Sequence, residues 1–168
     1  SKAKDFRDLM ATARAKPGEI RWTTSGPASL GHIMLEQIMA SAQVQITQVP
    51  YKGGGQQMND ALGGQLEVLS TNAGPAVQQH VKAGKLKPLA VGAPARLASL
   101  PDVPTLAELG LPAANMSSLF GIYAPAQTPA AVLERLNAEL NKALALPDIR
   151  SKLDATDNVP TGGTAAEF

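Results

Sequence analysis

The chain has no cysteine, which excludes disulfides and thiolate metal sites but leaves the compartment open. It has no apolar run near the roughly 18 residues that cross a bilayer. Lysine and arginine form no stripe, and a net charge of +1 with scattered signs gives no counterion-releasing surface, so nucleic acid is not an expected partner. Aromatics are few while apolar content is ordinary. The opening stretch SKAKDFRDLMATARAKPG is amphipathic and lacks the apolar core of a signal sequence, as a mature or trimmed chain would. HExxH, GxSxG and clustered acidic ligands are absent too, so no metal, cofactor or catalytic set is expected.

What remains, at 168 residues, is enough for one well-buried core or one core plus part of a second. Phe6, Leu9, Met10 and Ala13 are spaced as one face of a helix, which Pro17 and Gly18 stop. EIRWTT then reads as a strand. Leu30, Ile33, Met34 and Ile38 predict the apolar face of a second helix, running to about residue 42. VQITQVP, LEVLS and LKPLAVG read as further strands, separated by the helical stretches QQMNDALGG and PAVQQHVKAGK. Strands alternating with helices indicate an α/β fold, with a parallel sheet of at least four strands within residues 20–92 and helices on both faces. From residue 93 the texture changes to proline and alanine, with a short helix expected near Leu106–Leu109. LFGIYAP predicts another strand, and Thr128 the cap of a helix striped by Val132, Leu133, Leu136, Leu140 and Leu144. Thr164 and Glu167 have capping-box spacing, as though a last helix opens where the chain stops; that points to a fragment.

Three strand-to-helix junctions carry the candidate chemistry. TTSGPASLGH offers backbone amides at a helix N-terminus, where a carboxylate or phosphate binds well, together with the hydroxyls of Thr24, Ser25 and Ser29. VPYKGGGQQ brings Tyr51, Lys52 and Gly53 before a helix; it matches neither a Walker A loop nor a GxGxxG fingerprint. LSTNAGP adds Thr71 and Asn72. Each alone is also the signature of a plain turn. Together they fall at the carboxyl ends of parallel strands, where open α/β sheets bind ligands. His32 and His80 lie within helices, and Tyr51 and Lys52 would face opposite ways in a strand, so no acid–base pair suggests itself. A binding cleft is therefore favoured over an α/β enzyme acting through Tyr51 or His32 on a carboxylated substrate. An interaction domain whose glycine junctions are only turns is the plainest alternative.

The stretches AKPGEIRWTTSGPASLGHIMLEQI, VPYKGGGQQMNDALGGQLEVLSTN, HVKAGKLKPLAVGAPARLASLPDVPTLAELGLP, FGIYAPAQTPAAVLERLNAELNKAL and GGTAAEF resemble, in order and spacing, the Bug-type solute receptors of the tripartite tricarboxylate transporter. The resemblance implies a periplasmic binding protein that closes two lobes on a small organic carboxylate and hands it to membrane transporter subunits. It implies that residues 1–112 form the second ligand-binding lobe. Residues 113–168 would form the crossover and part of the first lobe, the rest of which has no counterpart here. By the same resemblance Ser25, Gly26, Ala28 and Ser29 present amides and hydroxyls to a carboxylate, Tyr51, Lys52 and Gly53 close one wall, and Thr71 and Asn72 the other; the Thr24 hydroxyl is a candidate from the turn itself. Two positions depart from the family pattern: Pro27 removes one N–H from the serine-glycine turn, and Leu119 stands where many members have tryptophan. With its first lobe missing, the leucine stripe would need another cover, either this chain's own lobe or, preferably, a second copy in a homodimer.

Overall fold

The computed structural model describes residues 3–52 and 54–168. They divide into two units: the described residues of Ser1–Asn72 with Ala76–Ser118, and Ala73–Pro75 with Leu119–Phe168.

In the first unit, α1 (Phe6–Ala15) starts at Asp5, whose carboxylate accepts the Asp8 amide at 2.8 Å. Its buried residues are Phe6, Leu9, Met10 and Ala13, the face that the spacing predicts. After Gly18, with φ +77°, come β1 (Arg21–Thr24), α2 (Leu30–Ala42) and β2 (Thr47–Pro50). β1 and β2 pair in parallel with Arg21 opposite Thr47. Successive residues of β1 point to opposite faces. Trp22 joins the cluster made with α1 and α2, while the Thr23 hydroxyl takes a bond from Gln57 of α3 (Gly54–Leu62) on the other face.

The fold is α/β, but its sheet is smaller than the sequence predicts. Among the described residues it has two strands, with 66–68 added alongside β1 by a single parallel bridge, Trp22 to Val68. The Thr23 amide donates to the Val68 carbonyl at 3.0 Å, and the Val68 amide to Arg21 at 3.1 Å. The ladder then stops because the Ser70 amide turns to the Thr23 hydroxyl and the Ser70 carbonyl to Gln57. The stretch expected as a fourth strand does not extend the sheet; Val91 bridges Thr105 instead. Pro88 and Pro104 each lack the N–H that a longer ladder needs.

Other expectations are met in part. In α2 the expected Ile38 is fully buried and Met34 packs against the core, but Leu35 is the other fully buried residue, with Met39 and Ala42 beside it, while Leu30 is half-buried and Ile33 is 41% exposed. At 106–109 there is a hydrogen-bonded turn rather than a helix. It is closed by a capping box in which Glu108 accepts the Thr105 amide at 2.8 Å and Thr105 accepts the Glu108 amide at 3.1 Å. Arg96 grips the same carboxylate, and these bonds lower the Glu108 pKa to about 2. The turn inserts Leu106 into the core, with Leu111 and with Ala114 of the following 3-10 turn (Pro112–Ala114), which Leu111 precedes. Between them, α4 (Pro75–Lys82) carries His80, half-buried, in its last turn.

The second unit holds α5 (Ala130–Ala145) and α6 (Pro147–Asp154), neither with a buried residue. The N-cap of α5 is Pro129, without a side-chain bond, not Thr128. Residues 119–125 form no strand; a strand needs a partner for its amides and carbonyls, and Leu119, Phe120, Ile122 and Tyr123 are all exposed. The chain end is ordered by side chains: Asn137 and Asn141 donate to the Gly163 carbonyl, Phe168 meets Tyr123 edge-on at 5.4 Å, and Thr164 and Glu167 form the expected capping box.

Truncating the two faces of α2 should therefore have unequal effects. Leu35→Ala should destabilise the chain by about 2–5 kcal/mol in urea unfolding. Ile33→Ala should cost less than about 1 kcal/mol. Equal losses would mean that the burial of α2 is misassigned.

Candidate functional site

The three junctions lie along one edge, at the carboxyl ends of β2, β1 and the 66–70 segment. β1 ends in Thr23 and Thr24, both fully buried, and the chain turns through Ser25–Ser29 into α2. The turn is tight and partly left-handed: Gly26 has φ +113° and Ala28 φ +58°. Ser29 is the N-cap, accepting the His32 amide, while its own hydroxyl donates to the Gly26 carbonyl at 2.8 Å. The Thr24 hydroxyl accepts from the Gln48 side chain at 2.8 Å and points back at the Gly26 carbonyl. The Ala28 amide donates to His32 Nδ1 at 3.0 Å.

These bonds sort the residues predicted here. Thr24, the Ser29 hydroxyl and the Ala28 amide are engaged within the turn and build it, which differs from their expected role as direct donors to a ligand. The amides of Ser25, Gly26, Leu30 and Gly31 have no protein acceptor among the described residues. Leu30 and Gly31 are first-turn positions, where orphan amides and the positive end of the helix dipole coincide. Ser25, Pro27 and Ala28 are exposed.

Tyr51 continues from β2 directly beside this turn: its amide donates to the Thr24 carbonyl at 2.8 Å. Its hydroxyl donates to Asp60 Oδ2 of α3 at 2.8 Å, and that bond, followed by burial and the Asp60 charge, raises the phenol pKa. Lys52 is exposed. Gly53 lies outside the described residues. On the other side Thr71 and Asn72 are exposed, with Asn72 Oδ1 accepting the Ser118 hydroxyl at 3.0 Å.

What joins the junctions is a group that sequence reasoning missed. Gln57 is fully buried, and its Nε2 donates to both Thr23 Oγ1 and the Ser70 carbonyl, while its Oε1 has no partner. The Ser70 amide donates to the same Thr23 oxygen at 3.1 Å. A Cβ on Gly31 would lie 2.8 Å from Ser70 Oγ, so the first turn of α2 packs close to this segment and a side chain there would have to displace the Ser70 hydroxyl. The nearest signal in the sequence was a glutamine on the inner face of a short amphipathic helix.

The side chains suggested for an enzyme are otherwise occupied: His32 lies between the Ala28 amide and Glu36, at 3.3 Å, and Tyr51 is held by Asp60. Among the described residues no group of histidine and carboxylates is arranged for a metal. A depression of about 650 Å³ on the first unit lies elsewhere, between Lys4–Arg7, Lys87–Leu89 and Asp102–Leu109. It shares no residue with the three junctions.

A small parallel sheet flanked by helices, with strand-to-helix turns at its carboxyl edge, is shared with solved periplasmic proteins. A solved structure described as that of a periplasmic transporter superposes with a TM-score of 0.88 at 34% identity, covering 99% of this chain and 55% of that one. R. palustris Rpa4515 with adipate superposes at 0.85 with 32% identity, covering 97% of this chain and 54% of that one. A protein of Pseudomonas sp. strain P51, from the tcbD-tcbE intergenic region, is 33% identical over 99% of this chain and 49% of its own length. The model of the tripartite tricarboxylate transporter family receptor matches residues 1–167, and the chain belongs to that family. It spans about half the length of the curated relatives it matches first. Its family and structural neighbours are solute-binding receptors rather than enzymes.

The Tyr51–Asp60 bond gives a test of the wall beside the turn. A raised phenol pKa means that folding favours the protonated ring; this contribution is complete below the ordinary value of 10.0 and lost as pH rises through the raised one. In an ultraviolet phenolate titration Tyr51 should ionise late, and Asp60→Ala should bring it down towards the ordinary value. An unchanged titration in Asp60→Ala would show that the bond does not hold Tyr51.

Proposed function

We propose that this chain supplies one ligand-recognising lobe, residues 1–112, of a periplasmic receptor that captures a small organic carboxylate between two lobes and delivers it to membrane transporter subunits. The observation that carries this reading is the convergence of the three junctions on one edge, with the orphan amides of Ser25, Gly26, Leu30 and Gly31 at the start of α2. Amides and the helix dipole hold an anion without a buried countercharge, which suits a site that must release its cargo. Lys52 adds an exposed positive charge beside Tyr51, and Thr71 and Asn72 add a hydroxyl and an amide opposite. The similarity to Rpa4515, whose solved structure contains adipate, supports a carboxylate as the ligand class.

On this reading residues 113–168 belong to the crossover and to the first lobe. Val132, Leu133 and Leu136 are 45%, 37% and 48% exposed, and Leu119, Phe120, Ile122 and Tyr123 more so. In the whole receptor the remainder of the first lobe covers them. In the isolated chain a second copy does so, because burying each such side chain is worth about 1.5–3 kcal/mol.

Calorimetry with adipate, on this chain and on a chain of the relatives' full length, tests the reading. The longer chain should bind, whereas the 168-residue chain should bind far more weakly and form dimers in light scattering across a dilution series. A strictly monomeric 168-residue chain binding as tightly as the longer one would contradict the two-lobe account.

A further inference from the structure

The anion-binding turn is held by a side chain that has no place in the ligand contacts proposed above. Ala28 sits at φ +58°, a left-handed conformation unusual for any residue with a Cβ. It follows Pro27, which has no N–H, so Ala28 provides the first amide after Gly26 by which the turn can be fixed. That amide donates to His32 Nδ1 at 3.0 Å, and the other ring nitrogen, Nε2, lies 3.3 Å from Glu36 Oε1, one turn further along α2. A ring nitrogen that accepts from an amide carries no proton, so the neutral imidazole must carry its proton on Nε2, where Glu36 accepts it.

We propose that His32 is a positioning residue of the anion-binding turn: Glu36 holds it in the Nε2–H tautomer, and Nδ1 fixes Ala28 so that the Gly26 and Leu30 amides flanking it face the ligand. The proposal rests on the carboxylate reading of this turn. Two consequences follow for that site. The Ala28 amide is withdrawn from the ligand, so recognition falls to the amides on either side of it. The strained residue is also pinned from within α2, so the turn moves with the helix whose N-terminus it caps. Ser29 contributes in the same sense through the Gly26 carbonyl, but it leaves Ala28 itself unheld.

The test uses the 168-residue chain without any ligand, so its failure is distinct from a failure of the carboxylate reading. His80→Gln leaves one imidazole to observe, since the chain has two histidines. Nitrogen NMR at mildly alkaline pH should show the Nε2–H tautomer, with coupling across the hydrogen bond between Nδ1 and the Ala28 amide. In His32→Asn, Oδ1 stands near the place of Nδ1 and accepts in its stead; in His32→Leu the volume is kept and the acceptor lost. Amide exchange at Ala28 should quicken about tenfold or more in His32→Leu, a loss of about 1.4 kcal/mol. His32→Asn should restore it to within about threefold, with the Gly26 and Leu30 amide signals returning to their unsubstituted positions. An Nδ1–H tautomer would overturn the proposal, as would Ala28 exchange and turn signals that are the same in the Asn and Leu variants.

Discussion

The hydroxyl of Thr23 is the point on which the site depends. Fully buried at the end of the central strand, it accepts from the Ser70 amide on one side and from Gln57 of α3 on another. One oxygen thus ties together the strand, the segment beside it and the helix beneath. A buried polar group of this kind is costly unless satisfied, so the three segments are constrained to meet in one arrangement. The same bonds draw Ser70 out of the ladder, ending the sheet at the edge where the three junctions lie. The bonds that cut short the 66–70 segment thus also shape the candidate edge.

Around that knot the turn from β1 into α2 is built almost wholly from its own hydrogen bonds. Ser29, Thr24 and His32 each satisfy a group inside the turn, while the amides of Ser25, Gly26, Leu30 and Gly31 have no acceptor among the described residues. The chemistry on offer is therefore backbone chemistry: directional donors and a helix dipole, with little fixed charge. On the proposed reading such a surface would recognise the shape and charge of a carboxylate group and little of what that group is attached to.

Much of this was legible in the sequence, and the gaps have physical reasons. The face of α1 could be read residue by residue because four apolar side chains at helical spacing bury together. The junctions could be read because strands ending in small, hydroxylated or glycine-rich turns leave few other structures available. The extent of the sheet could not, because LEVLS and LKPLAVG have strand composition but their ladders are cut by side-chain bonds and by prolines. Gln57 escaped notice because a glutamine on a short helix is normally solvated, and only the tertiary fold shows that it is buried. The engaged state of Thr24, Ala28 and Ser29 was invisible for a similar reason: a hydroxyl or amide in a turn reads the same whether it faces a ligand or its neighbour. LFGIYAP has every mark of a strand and lacks only a partner, which no local pattern supplies.

The central claim is that three separate junctions make one carboxylate-recognising edge. Amide chemical shifts of the 168-residue chain, followed as adipate is added to high concentration, test it most directly, because they register even weak binding residue by residue. The account predicts shifts concentrated at Ser25, Gly26, Leu30 and Gly31, with smaller ones at Tyr51, Lys52, Thr71 and Asn72, all following a single binding curve. Shifts gathered instead around Lys4, Arg7 and Lys87, or scattered without a common curve, would contradict it.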